Sequence, residues 1–245
     1  EDKEESIKIA RSMLIGKISN CRKVIERAVR DHGAVLNVER IRKVSGMIKG
    51  QMVAVSTGRT IEDLSGFEGS AAKAYFEVLD DLILQQKEDF YFKERSRRPP
   101  LDNFNALLSF LYTLLTHEVS SALETVGLDP YVGFLHQDRP GRPSLALDLM
   151  EELRPVFADR MAISLVNRRQ ITGKGFEKKE SGGILMDNET RKKVIKEWQD
   201  RKKEQVIHPF LKEKINFGLL PYAQALLLSR YLRGDLDAYP PFFWS

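Results

Sequence analysis

The chain has 245 residues, 42% of them hydrophobic, enough for a sizeable core, and no uninterrupted apolar run approaches the roughly 18 residues of a membrane span. Its net charge of +4 and pI near 9.0 are only mildly basic, so charge alone neither demands nor excludes nucleic acid. Cys21 is the only cysteine, which rules out disulfide frameworks and cysteine-based metal clusters and fits a reducing, cytoplasmic setting. The chain opens without a methionine, inside a helical pattern, and reads as a piece of a longer protein.

Ile7, Ala10, Leu14, Ile18, Cys21, Ile25 and Ala28 recur every three or four residues and predict an amphipathic helix ending near His32-Gly33. A second helix is predicted from about Val38 to Val55, stopping near Thr57-Gly58. Thr60 can cap a short turn over Ile61 to Leu64, and Gly66-Phe67-Glu68-Gly69 is expected to break the chain. A third helix should then run from Ala71 towards Phe92, ended by the Arg95 to Pro100 segment. Asp102 should cap the next helix, which reaches Gly127 and is apolar on most of its circumference, so it belongs at the centre.

Beyond Gly127 a loop leads to the turn Arg139-Pro140-Gly141-Arg142-Pro143. Ser144 stands at a cap position, and a helix should continue to about Arg168. From Ile171 to Met186 glycines alternate with lysines, which predicts a mobile loop with at most a short hairpin. A charged helix from Thr190 to Val206 should be anchored by Ile195 and Trp198 and interrupted at His208-Pro209. The last helix is expected from about Gly218 to Arg233, followed by an aromatic tail from Tyr239 to Trp244. Without a repeat or a convincing sheet, the pattern is that of an all-α, multi-helix fold. It reads as one helical catalytic domain over 1–245: leading helices at 1–95, a metal-site core at 96–170, and a loop with closing helices at 171–245.

Chemistry-bearing residues gather between Tyr131 and Glu152. Here lie His136, Arg139 and Arg142, then Asp148 and Glu151, which a helix places on one face. Glu118 lies along an apolar stripe with Leu111, Leu114, Leu115 and Ala122, where an unpaired carboxylate is costly. Each has a bland reading. Glu118 could pair with Arg139 or Arg154, His136 could be a core histidine, and the helical acids could be a solvated edge. Taken together, Glu118, His136 and Glu151 come from two central helices and their connecting loop, and antiparallel packing would bring them together. Two carboxylates and one imidazole suit manganese or magnesium (Mn2+ or Mg2+) better than structural zinc. Asp148 could be a fourth ligand, a holder of water, or a base. Among the basic groups, Arg97, Arg98, Arg139 and Arg142 adjoin prolines and turns, where charges can converge on phosphate. The Arg191 and Arg201 clusters read as solvated helix faces.

The segment GFLHQDRPGRPSLALDLMEELRP closely resembles the CRISPR-associated adaptation endonuclease family, the integrase subunit that inserts spacers into the repeat array. Similar family segments are LSGFEGSAAKAYF at Leu64 to Phe76, RSRRPPLDNFNALLSFLYTLLTHEV, and LLPYAQALLLSRYLRGDLDAYPPFFW, together covering nearly the whole chain. The Leu-Asp-Leu-Met-Glu-Glu run looks like the type I-C branch. The resemblance implies a metal-dependent DNA endonuclease and strand transferase using manganese or magnesium. It implies Glu118, His136 and Glu151 as ligands, with Asp148 beside the metal. It implies double-stranded protospacer and repeat-array DNA as substrate, and Arg97, Arg98, Arg139 and Arg142 are the candidates for gripping its backbone. It also implies a homodimer in the full-length protein and a small companion adaptation protein as partner, with no membrane involved. The family's amino-terminal β-rich domain has no counterpart in this chain, which matches the helical carboxy-terminal domain. The competing function is a non-catalytic DNA-binding or assembly module whose acids merely pair with arginines.

Overall fold

The computed structural model describes residues 3–136 and 139–244; Gln137 and Asp138, just ahead of Arg139, fall outside it. Helix α1 (Lys3–His32) presents Ile9, Met13, Leu14, Ile18, Val24 and Ile25 to the core, the face its periodicity predicts. Helix α2 (Val38–Thr57) packs on it, with the Asn37 side chain accepting from the Arg40 backbone N–H as N-cap.

Helix α3 (Ile61–Glu77) corrects the sequence reading. Thr60 and Asp63 form a reciprocal capping box, and the helix then runs unbroken through Gly66 and Gly69. Both glycines face solvent with nothing within 4 Å of where a Cβ would be. Each costs the helix about 1 kcal/mol relative to alanine, and the packing of Leu64, Ala71, Ala74 and Tyr75 against α1 and α2 outweighs that. The helix also stops at Glu77; Val78 to Phe92 follow as a short 3-10 turn and a packed loop, with Leu79, Ile83 and Phe90 buried.

Helix α4 (Asn103–Thr125) is capped by Asp102, whose carboxylate accepts from the Asn105 N–H at 2.7 Å. By length and composition it could cross a membrane, contrary to the reading that no segment approaches a span. Its apolarity has a use inside the fold, because it packs against α5, α8 and a β-hairpin. Helix α5 (Ser144–Arg154) has Pro143, not Ser144, at its cap position. It continues through a wider π-helical turn at Pro155–Asp159 into α6 (Arg160–Asn167). The Arg160 N–H reaches back to the Pro155 carbonyl, so the proline imposes no break.

The 171–186 region is a short antiparallel hairpin, β1 (Phe176–Lys178) with β2 (Ile184–Met186), and it is packed. Gly175 lies so close to Thr190 that a Cβ there would sit 1.9 Å from its hydroxyl. Helix α7 (Asn188–Lys202) is anchored by Trp198, as expected, and by Val194; Ile195 is exposed. A second hairpin, β3 (Gln205–Ile207) with β4 (Lys214–Asn216), was not anticipated. Its three-residue strands are too short to show a period-2 pattern. Helix α8 (Leu220–Leu232) closes the chain. The architecture is mostly helical with two small hairpins, and one continuous core runs from Ile9 to Trp244.

Candidate active site

The loop before α5 is folded around one carboxylate. Asp148 is buried, and its two oxygens accept from the backbone N–H groups of Phe134 (2.6 Å), Leu135 (2.9 Å) and His136 (3.0 Å). The same carboxylate lies 2.5 Å from His136 Nδ1. With Nδ1–H donating to Asp148, the other ring nitrogen, Nε2, keeps its lone pair for a ligand. Gly133 allows this wrap: a Cβ there would lie 2.7 Å from Ser144 and 3.0 Å from Asp148 Oδ2. The imidazole lines a groove of about 510 Å³ together with Ile7, Ile61 and Phe134.

One turn later on α5, Glu151 is also buried. Its Oε1 is 2.9 Å from Arg154 Nη2, and its Oε2 is 2.5 Å from the Lys17 ammonium of α1. That ammonium also pairs with Glu68 of α3. Burial opposes ionisation of Glu151, but Arg154 and Lys17 outweigh it and hold its carboxyl at about 2. Burial likewise opposes the charge on Lys17, and Glu151 and Glu68 win, so its pKa is raised. Arg154 is braced from behind by the Tyr112 ring, 4.6 Å from its guanidinium carbon.

Three of the four expected site residues, His136, Asp148 and Glu151, therefore come together on α5 and the loop before it. Asp148 is committed to holding His136 and its loop, and Glu151 lies one helical turn further along α5. Glu118 does not join them. Its Oε1 is 2.5 Å from Lys202 Nζ of α7 and 3.4 Å from Trp198 Nε1. The apolar stripe that seemed to aim it inward leads instead to the α4–α7 contact, where a lysine neutralises it.

The carboxylate that closes the site is Glu68, which sequence reading passed over. Leu64, Glu68, Ala71 and Tyr75 follow helical spacing, so the signal that drew attention to Glu118 was present here too. The flanking glycines hid it by suggesting a break. Among the described residues, no three His, Cys, Asp or Glu side chains are gathered tightly enough to ligate a metal as they stand. The Lys17 ammonium sits between the two carboxylates. A buried cation held by two acids, with an imidazole alongside, is a donor set that fits a hard divalent ion.

The expected phosphate contacts divide. Arg97 and Arg98 are exposed and make no hydrogen bond or ion pair among the described residues. Their neighbour Arg95 is structural, donating to Asn105 Oδ1 (2.7 Å) and Ser109 Oγ (3.0 Å). Arg139 is exposed and Arg142 half-buried, in a turn closed by the Arg142 N–H to Arg139 carbonyl bond of 2.9 Å.

Residues 1–200 match the model of the family described as CRISPR associated protein Cas1. The chain belongs to the Cas1 family. It is 55% identical over 241 residues to the CRISPR-associated endonuclease Cas1 2 of Rhodospirillum rubrum, covering 97% of this chain and 70% of that protein. It is 48% identical over 239 residues to the CRISPR-associated endonuclease Cas1 of Leptospira interrogans, covering 98% of this chain and 94% of that one. Among solved structures, a chain of a Cas6-RT-Cas1–Cas2 complex superposes with a TM-score of 0.82 at 26% identity, over 100% of this chain and 25% of the other. The helical Cas1 architecture thus accounts for the whole described chain, and the expected family resemblance holds.

Proposed function

We propose that this Cas1 family chain is a metal-dependent DNA endonuclease and strand transferase acting in CRISPR adaptation. The observation that carries the reading is the convergence of Glu68 and Glu151 on one buried cation, beside an imidazole aligned by Asp148. In this reading Glu68, His136 and Glu151 hold manganese or magnesium, and Glu118 does not. Such an ion, when bound, polarises a scissile phosphate and offsets charge gathering on its oxygens.

The chain's own residues do the rest. Asp148 fixes the imidazole tautomer and angle through four hydrogen-bond contacts. Arg154 and Lys17 hold Glu151 in its ionised form. Arg97, Arg98, Arg139 and Arg142 are exposed or half-buried cations suited to the phosphate backbone of double-stranded DNA, whether protospacer or repeat array. Water would be the nucleophile in cutting and a 3′-hydroxyl in joining; both need the same phosphate held over the same site. The structural relative sits in a Cas1–Cas2 assembly. We therefore expect a small companion adaptation protein as partner, and a homodimer in the full-length protein.

The test is manganese-dependent thermal stabilisation together with nicking of supercoiled DNA. Glu68→Ala should lose both, while Glu118→Ala keeps both within about threefold. Loss of nicking in the Glu118 variant with none in the Glu68 variant would reverse the assignment. Retention of metal-dependent stabilisation and nicking in Glu68→Ala, Glu151→Ala and His136→Ala alike would favour the non-catalytic module.

A further inference from the structure

Away from the candidate active site, a cavity of about 310 Å³ opens between the end of α1, α6 and the loop around Leu82 and Leu84. Its lining combines apolar side chains, Leu82, Leu84 and Ile163 among them, with Arg27, Arg160 and Arg168. Asn167 braces one wall, accepting from the Leu84 N–H at 2.8 Å and donating to the Leu82 carbonyl at 2.9 Å.

The arginines are arranged in an unusual way. The guanidinium carbons of Arg27 and Arg160 lie 5.0 Å and 4.8 Å from the ring centroid of the same tryptophan, Trp244. The Arg160 side chain makes no hydrogen bond or ion pair among the described residues, although the carboxylates of Glu204 and Asp31 act on its charge. Asp31, the carboxylate lining the cavity, is shared between Arg30 (3.1 Å) and Arg27 (3.4 Å). Burial, then the repulsion of Arg27, lower the Arg160 pKa, and burial together with Arg160 lowers that of Arg201 to about 10. Positive charge is therefore concentrated here at a cost. Helix dipoles explain cations in the last turn of α1, but Arg160 lies inside the continuous α5–α6 run, where no such benefit exists.

We propose that this cavity binds the phosphate group of a nucleic-acid backbone, with Arg160 and Arg168 as the gripping forks and Arg27 behind them. Planar guanidiniums match phosphate oxygens in pairs. The apolar lining of Leu82, Leu84 and Ile163 suits the face of a sugar, which a carboxylate side chain lacks. Arg27 lies ten residues beyond Lys17 on α1, about 15 Å along the axis, so the contact is separate from the proposed reacting phosphate.

The experiment uses the whole chain without metal. Binding of a mixed-sequence DNA duplex is measured from 50 to 300 mM salt for the wild type, Arg168→Gln, Arg160→Gln and the double variant. Arg168 is exposed, so its variant folds even if removing Arg160 disturbs the Trp244 contact. Each substitution should lower the salt slope by about 0.9, and the double variant should bind roughly tenfold more weakly at 0.1 M salt. Manganese-dependent stabilisation should be unchanged in all of them. Inorganic phosphate and pyrophosphate, added in millimolar amounts, separate the sources through the emission of Trp244, identified against Trp244→Phe. A phosphate response without any change in DNA slope overturns the backbone assignment in favour of a free phosphate. An unchanged slope with no phosphate response overturns the site altogether. Displacement by polyglutamate at lower concentration than DNA overturns it in favour of an acidic polypeptide.

Discussion

Glu151 and Glu152 are neighbours on α5, both buried, and they live in opposite environments. Glu151 faces α1 and α3, where Arg154 and Lys17 keep it ionised despite burial. Glu152 faces the chain's end and, among the described residues, has neutral donors only. Gln224 Nε2 donates at 2.7 Å, the Phe242 N–H at 2.9 Å, and the Tyr239 hydroxyl closes the set. Burial pushes its pKa up to about 7. Asn20 completes this second region, donating to the Glu152 carbonyl at 2.7 Å and the Phe242 carbonyl at 2.8 Å while accepting from the Trp244 N–H. Burial alone therefore does not mark a site. An acid kept charged by cations can exchange them for a metal ion, whereas an acid satisfied by hydroxyl and amide donors pins down the tail.

The sharpest way to break this contrast is to neutralise each acid in turn. Glu151→Gln should reduce manganese-dependent nicking at least about 100-fold, because the proposed ligand and its charge are both lost. Glu152→Gln should leave nicking within about threefold and cost about 1–2 kcal/mol of stability, since one amide N–H must face a donor. Equal losses of nicking would end the distinction. Next in size is Asp148→Asn, which weakens the hold on His136 Nδ1 and should lower metal affinity roughly 10- to 100-fold with the fold intact; calorimetric metal titration reads it.

Gln224→Ala acts on the other region. It strips one donor from Glu152 and a partner from His208, and should cost about 2–3 kcal/mol in denaturant unfolding with metal affinity unchanged. The smallest effect concerns pH. His208 is buried with Nε2 2.8 Å from Gln224 Oε1, and the Leu211 N–H donates to its Nδ1 at 3.2 Å, so the neutral ring is the one that fits. Burial, against the weaker opposing effect of the hydrogen bond the ring donates to Gln224, lowers its pKa below the ordinary 6.5. Its contribution to stability is present above the unfolded value and lost as pH falls through the lower folded one. Unfolding at pH 7.5 and 5 should show that loss in the wild type and less of it in His208→Gln.

Much of this was legible in the sequence because it is local. The faces and ends of α1 and α2, the Asp102 cap and the turn at Gly127 follow from periodicity and terminal chemistry within a few residues. So does half of the candidate site: His136, Asp148 and Glu151 lie within one loop and two helical turns, and the loop's backbone amides have a carboxylate within reach. The remainder was decided by partners distant in sequence. Two glycines weaken α3 locally, and only packing against α1 and α2 keeps it continuous and turns Glu68 inward. Glu118 and Glu68 both stand on apolar stripes, and periodicity assigns each an inward face without naming what lies opposite. Tertiary structure set Lys202 against Glu118, and Lys17 and Glu151 against Glu68. A helix face is a local property of spacing, whereas the neutralising partner of a buried charge is a property of the whole packing arrangement.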